Sequence, residues 1–230
     1  MDFDQAAALY REAHKKNIAF TGEDPEYFHN MKARMVASFL EQEMRPEFRL
    51  LDYGCGLGLV TRHLKKLLPG AEIHGADPSA KSIEIAASEN EGILFRHFDG
   101  KIAPYGEDSF DAAVLSCVLH HVDTDRDGVY SEAHRVLRPG KKLFIFDHNP
   151  FNPLTRRAVN TCVFDEDAKL IGRRACVKDL ERAGFRILEA RYIVFFPAFL
   201  KRFRPIEGSL GWLPLGGQYF ICATKEDKKK

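Results

Sequence analysis

No stretch of the sequence is apolar for long enough to cross a membrane, and the start, Met1-Asp2-Phe3-Asp4, is acidic with no apolar signal core. A cytoplasmic protein without a membrane span is the expectation. Net charge is missing too: 34 basic residues against 33 acidic ones leave no global field to attract nucleic acid or a membrane surface. The five cysteines form no CxxC pair and no regular Cys/His spacing, which argues against a disulfide framework and a structural zinc site, and for reduced thiols. No internal repeat or low-complexity segment appears apart from the charged tail 225–230, where disorder is expected. What is present is 230 residues with 45% hydrophobic content, enough for one α/β domain with a substantial core.

The chain is organised around Leu50-Leu51-Asp52-Tyr53-Gly54-Cys55-Gly56-Leu57-Gly58-Leu59-Val60, an apolar run that ends in an acid and opens into glycines spaced by single residues. It reads as strand, tight turn and helix, with the glycines letting the main chain approach a ligand closely. A dinucleotide fingerprint would run G-x-G-x-x-G with phosphates on the helix N-terminus. Here the pattern is G-x-G-x-G preceded by Asp52, whose carboxylate suits a cation better than a pyrophosphate. S-adenosylmethionine carries a sulfonium and an ammonium and no phosphate.

Before that stretch, residues 5–18 and 25–44 look helical, the second opening on Asp24 as N-cap and Pro25 at the first helical position. Residues 1–48 are therefore expected to form a helical lid, with Tyr27, Phe28 and Lys32 facing the crevice if the second helix lies over it; otherwise the aromatics are core and Lys32 a solvated charge. From Leu50 strands and helices alternate. Strands are predicted at 49–53, 71–76, 93–98, 110–116, 142–147, 185–196 and 218–224, and helices near 59–68, 79–88, 124–137, 153–161 and 175–183. Arg138-Pro139-Gly140 reads as a helix stop before the fifth strand. The linker from Pro197 to Gly217 is too short for a full crossover, so the last two strands should be antiparallel. The expected fold is α/β and Rossmann-like, a doubly wound, seven-stranded, mostly parallel sheet with an antiparallel last strand, spanning 49–224.

In such a sheet the ligand binds beyond the carboxyl ends of the strands. Strand two ends in Ala76-Asp77-Pro78-Ser79, and Asp77 follows Gly58 at about the 20-residue interval at which an acid grips a ribose diol. Asp77 or Ser79 as a helix cap is the alternative. Strand three ends in His97-Phe98-Asp99-Gly100, where Asp99 would accept from an adenine amino group and Phe98 or Ile102 pack on the ring, unless Asp-Gly is a plain turn. Strand four ends in Ser116-Cys117-Val118-Leu119-His120-His121. Adjacent histidines point apart on a regular element and no nearby Cys or acid stands at ligand spacing, so cofactor contacts and packing are favoured over a metal. Strand five ends in Asp147-His148-Asn149-Pro150-Phe151-Asn152-Pro153. His148 is the first candidate general base because an imidazole titrates near neutral pH, with His121 and His120 as others; a plain loop histidine is the alternative.

Together these strand ends resemble class I S-adenosylmethionine-dependent methyltransferases, in the small-molecule branch similar to the ubiquinone and menaquinone biosynthesis enzymes. The motifs are Leu51 to Gly58, Gly75-Ala76-Asp77-Pro78-Ser79, Phe110-Asp111 through Leu119-His120-His121-Val122, and Arg135-Val136-Leu137-Arg138-Pro139-Gly140. The resemblance implies that Gly54 and Gly56 lie under the methionine moiety, Asp52 reaches the methionine end, Asp77 holds the ribose hydroxyls and Asp99 lies by the adenine. Cys55, Pro78, Phe98, Ser116 and His120 are expected to complete the S-adenosyl-L-methionine contacts. Two departures stand out: Gly140-Lys141 replaces the usual Gly-Gly, and the segment 148–153 has no fixed catalytic meaning in the family.

The acceptor is expected to be a small molecule, selected by 151–174 with Arg156, Arg157, Arg173 and Arg174, and by 195–216 with Phe195, Phe196, Phe199, Phe203 and Trp212 among Lys201, Arg202 and Arg204. Arginines beside aromatics suit an anionic end on an apolar body; a hydrophobic cap with solvated charges is the alternative. RNA or protein methylation, an NAD-dependent oxidoreductase and a non-catalytic cofactor-binding protein are the competing functions.

Overall fold

A computed structural model describes residues 10–122, 125–162, 165 and 167–226. The expected helical residues 5–9, residue 124 of the helix expected at 124–137, residues 163, 164 and 166 of the acceptor-side segment and tail residues 227–230 lie outside the described residues.

The strands are β1 (Arg49–Tyr53), β2 (Glu72–Asp77), β3 (Leu94–His97), β4 (Phe110–Ser116), β5 (Leu137–His148), β6 (Phe185–Ile193) and β7 (Gln218–Lys225). They form one sheet in the order β3-β2-β1-β4-β5-β7-β6. β7 runs antiparallel to both β5 and β6, as the short linker before it required, and the other pairs are parallel. Helices α1 (Tyr10–Ile18), α2 (Pro25–Leu40), α3 (Leu59–Leu67), α4 (Ala80–Glu89), α5 (Arg126–Val136), α6 (Pro153–Thr161), α7 (Arg173–Arg182) and the short α8 (Glu207–Leu210) surround it.

Side chains alternate across a strand, so each central strand supplies two cores. Leu51, Leu143, Ile145, Tyr219 and Ile221 pack with Val129, Tyr130 and Ala133 of α5 and Cys176 and Leu180 of α7. Leu50, Val114, Phe144, Phe146 and Phe220 pack on the other face with Val36 and Leu40 of α2 and Val60 and Leu64 of α3. Helix starts follow capping chemistry: the side chains of Asp24, Ser79 and Asn152 accept from backbone N–H groups at the starts of α2, α4 and α6.

Arg138-Pro139-Gly140 is not a break before strand five, as expected, but part of it. β5 begins at Leu137, opposite Phe110, and the register jumps to Ala112 opposite Lys142. Gly140, at φ +71°, absorbs that bulge. Proline and glycine, which end a helix, also suit an irregularity where a ladder hydrogen bond is already missing.

Candidate active site

The first turn after β1 is fastened to β2: the N–H groups of Gly54 and Cys55 both donate to the Ala76 carbonyl, at 2.8 and 3.1 Å. Gly54, Gly56 and Gly58 have φ of +74°, +50° and +71°, the left-handed region that favours glycine. A Cβ on Gly54 would lie 2.5 Å from Val118 Cγ2, whereas beside Gly56 the space is open. Gly54→Ala is therefore expected to cost about 1–2 kcal/mol of stability and to weaken S-adenosylhomocysteine binding about tenfold by displacing the turn or Val118, measured by thermal unfolding and calorimetric titration.

This turn is one wall of a cavity at the carboxyl ends of the strands. Asp52, Gly54, Cys55 and Gly56 line it from β1, Asp77 from β2, Ser116, Cys117, His120 and His121 from the end of β4, and His148 from β5. His14 of α1 and Phe28, His29 and Lys32 of α2 line it from the N-terminal helices. Phe28 and Lys32 thus face the crevice as expected, while Tyr27 is outside the lining and sits under the Arg204 guanidinium, 4.2 Å from ring centre.

Asp52 is buried, with Oδ2 accepting from Thr61 Oγ1 at 2.6 Å and Oδ1 without a hydrogen-bond partner among the described residues. Burial raises its carboxyl to about 6, with the neighbouring Asp77 adding to the rise. His29 Nδ1 and Gln218 Oε1, two further buried atoms of lining residues, also lack partners. A buried polar atom without a partner invites a polar ligand, and among these atoms Asp52 Oδ1 is the one that carries charge. An ammonium beside Asp52 is the group this set accepts best, and S-adenosylmethionine fits it in charge as well as in the open space at Gly56.

Asp77 lines the cavity and is also held by the backbone. Its Oδ2 accepts from Gly56 N at 2.8 Å and its Oδ1 from Ser79 N at 2.9 Å, so it braces the glycine turn while lining the cavity. Helix capping falls to Ser79, whose Oγ accepts from Ser82 N at 3.0 Å. Pro78, Phe98 and Asp99 are outside the cavity lining. Phe98 is buried in the core against Tyr53, and Asp99 is exposed, its Oδ1 accepting from the N–H groups of Lys101 and Ile102. Asp99 is the turn residue of the alternative reading, because a short acid before glycine hydrogen-bonds its own following backbone.

Beyond β4 and β5 the cavity is rich in imidazole. His120 Nδ1 lies 2.6 Å from Asp147 Oδ1, and the Asp147 carboxylate also accepts from the N–H groups of Leu119 and His148. Burial opposes charge on His120, but the Asp147 carboxylate outweighs it and keeps the imidazolium form. That charge and burial together lower His148 to about 3 and His121 to about 4, burial being the larger cause in both. The near-neutral titration expected of His148 is thus corrected: at pH 7 His148 and His121 are neutral and weakly basic.

The adjacent histidines do not point apart either. On the 3-10 turn Leu119–His121 their ring centroids are 4.2 Å apart, and Asp165, more than forty residues on, approaches both. No local spacing in the sequence announced Asp165; Asp147 was readable as the last acid of strand five.

The acceptor-side basic residues are placed differently from expectation. None of Arg156, Arg157, Arg173, Arg174, Lys201, Arg202 and Arg204 lines the cavity. Arg173 stacks on Tyr192 and donates to the Ala190 carbonyl, and Phe199 and Trp212 are exposed. Among the described lining residues Lys32 is the only lysine or arginine, its Nζ 3.0 Å from Ser116 Oγ and 3.1 Å from Cys117 Sγ.

Comparison with known proteins agrees with this geometry. A family model described as a methyltransferase domain matches residues 51–145. The chain is 32% identical over 157 residues to methyltransferase GfsG of Streptomyces halstedii, covering 63% of this chain and 55% of that protein. It is 36% identical over 126 residues to demethylmenaquinone methyltransferase of Thermotoga maritima, covering 55% of this chain and 52% of that one. The chain therefore spans about half the length of these curated relatives. Its fold superposes, with a TM-score of 0.69 and 17% identity over 98% of both chains, on a chain from the Haloferax volcanii complex of a methyltransferase activator with a putative methyltransferase. By sheet order, by the glycine turn with its two acids, and by the methyltransferase-domain match over residues 51–145, this chain is similar to the class I S-adenosylmethionine-dependent methyltransferases.

Proposed function

We propose that the protein methylates a small, largely apolar acceptor at a hydroxyl or an enol-activated carbon. The observation that carries this reading is the cavity itself, which holds the unpartnered Asp52 oxygen and, beyond β4 and β5, the imidazoles of His120, His121 and His148 among apolar side chains. Bound S-adenosylmethionine supplies an electrophilic methyl on a sulfonium. Asp52 would hold the ammonium end, Asp77 the ribose hydroxyls, and the turn at Gly54 and Gly56 would let the backbone lie close to the methionine. Ser116 and Cys55 line the same end, while Phe28 and Val159 supply apolar wall on the acceptor side.

Holding nucleophile, methyl and sulfur in line supplies much of the rate in such a displacement. The α1 and α2 side chains would serve as a lid that keeps water out, consistent with a role for 1–48 as a separate covering segment. Neutral His148 and His121 would accept a hydrogen bond from an acceptor hydroxyl and orient it. Lys32 would stabilise negative charge developing on that oxygen. An anionic end bound by the arginines of 151–174 finds no support in their placement off the cavity; the polar group of the acceptor is expected to meet Lys32 instead.

The test is a panel of phenols, hydroquinones and naphthoquinols assayed for S-adenosylhomocysteine release. Lys32→Met is expected to lower kcat on the best acceptor about 10- to 100-fold with cofactor affinity changed much less. Absence of turnover across the panel, with salt-sensitive RNA binding and methyl transfer to RNA instead, would replace this reading with the nucleic-acid one.

A further inference from the structure

We propose that His120, His121 and Asp165 form a binding site for one divalent first-row transition ion at the acceptor end of the cavity. Asp165 Oδ1 lies 3.5 Å from His120 Nε2 and 3.6 Å from His121 Nε2, and the three donor atoms are within 4.8 Å of one another. Nitrogen and oxygen ligands sit about 2.0–2.2 Å from such an ion, which places neighbouring ligand atoms roughly 3.0–3.6 Å apart. The two carboxylate–imidazole separations have that size, and an ion would draw the two imidazole nitrogens, which lie within 4.8 Å of each other, closer together. The carboxylate–imidazole separations are too long for good N–H···O hydrogen bonds, and they are nearly equal for two imidazoles approaching one oxygen. A cation shared by all three donors would replace this loose pairing of two imidazoles with one carboxylate oxygen.

The surroundings are those of a ligating histidine. His120 Nδ1 is committed to Asp147 Oδ1 at 2.6 Å, which fixes the ring and turns Nε2 toward Asp165. Metal-bound histidines are commonly oriented by such a carboxylate on the other ring nitrogen. The segments carrying the ligands are also tied together by backbone. Lys169 N donates to the His120 carbonyl at 2.8 Å, and Arg126 Nε donates to the Leu119 carbonyl at 3.0 Å while its Nη2 donates to the Lys169 carbonyl at 2.5 Å.

Two histidines and one carboxylate leave coordination positions open, and all three residues line the cavity. If the methyltransferase reading holds, the ion acts there as a Lewis acid on the acceptor hydroxyl, lowering its pKa and releasing its proton to solvent before methyl transfer. The ion site itself stands independently of that reading.

The experiment is a calorimetric titration of the chelator-stripped full chain with Zn2+ alone, repeated with Co2+ while following its visible absorption. One ion per chain is expected, with tetrahedral or five-coordinate Co2+ bands. His121→Ala and Asp165→Asn, both at partly exposed positions, should each weaken binding by about 100-fold or more, and Asp147→Asn by about 10- to 100-fold. Thermal melts and S-adenosylhomocysteine binding on the same preparations identify any variant that has lost its fold. No stoichiometric uptake by the parent chain, or uptake unchanged in folded His121→Ala and Asp165→Asn, overturns the site. Failure to bind S-adenosylhomocysteine with ion binding intact overturns the methyltransferase reading instead.

Discussion

Asp52→Asn is expected to make the cofactor-free protein more stable while weakening its hold on S-adenosylmethionine about 100-fold. The carboxyl of Asp52 is pushed from 3.8 to about 6 by burial, and one oxygen is unpartnered. Below pH 3.8 it is protonated in the folded and unfolded chain alike and nothing is lost. As pH rises, the unfolded chain ionises first, so native stability falls across this interval and levels off above about 6. The deficit at neutral pH is ~2–3 kcal/mol, which the neutral asparagine removes while still accepting from Thr61. In the native protein the carboxylate supplies the charge that an ammonium needs. Parent-chain affinity should therefore fall about tenfold per pH unit below 6, while that of Asp52→Asn stays flat. Thermal unfolding and calorimetry from pH 5 to 8 measure both; unchanged affinity in Asp52→Asn would remove Asp52 from the cofactor's ammonium end.

Asp111→Ala should do the reverse, lowering stability by ~2–4 kcal/mol and leaving cofactor affinity as it was. Asp111 begins β4 at the end of the sheet opposite the cavity, and its side chain is fully buried. It accepts from Arg49 N at 3.1 Å, Arg45 Nη2 at 2.5 Å and Arg138 Nη1 at 2.5 Å, joining β1, β4, β5 and the loop before β1. Burial alone would raise its carboxyl, but the backbone N–H of Arg49 and the two guanidiniums bring it below the ordinary value. Its contribution is accordingly complete above 3.8 and disappears as pH falls through that lowered value. Denaturant unfolding at pH 7 and pH 3 should show the difference between parent and variant closing in acid. A variant as stable as the parent at pH 7 would show that the two guanidiniums merely solvate this end of the sheet.

Some of this was legible in the chain and some was not, for reasons that belong to particular residues. Runs such as Leu143 to Phe146 and Tyr219 to Cys222 declare buried strands because both faces must be apolar when helices cover both sides of a sheet. The placement of Asp52 and Asp77 at the cavity was legible because each lies at the carboxyl end of a strand, on the side where the sheet opens. Arg138-Pro139-Gly140 was misread because a helix stop and a strand bulge ask for the same residues. Asp99 could not be settled from sequence, because an acid before glycine serves a turn and a ligand equally well, and its Oδ1 does accept from the turn backbone. The arginines of 151–174 could not be placed from sequence, since nothing in their spacing says which face of α6 or α7 meets the cavity. Asp165 was invisible because its partners come from another strand end, and only the folded backbone brings them together.

The position of β7 carries a consequence for the order in which a newly made chain becomes competent. Since β7 lies between β5 and β6, the strand made last is an interior one, and Gln218 pairs with His148 in its register and lines the cavity. Until residues 218–225 have left the ribosome, β5 has a partner on one side only, β6 has none in the sheet, and the cavity lacks Gln218. A chain halted in synthesis before β7 would expose β5 as an open sheet edge, so the ordering of this sheet waits on its last strand in chain order.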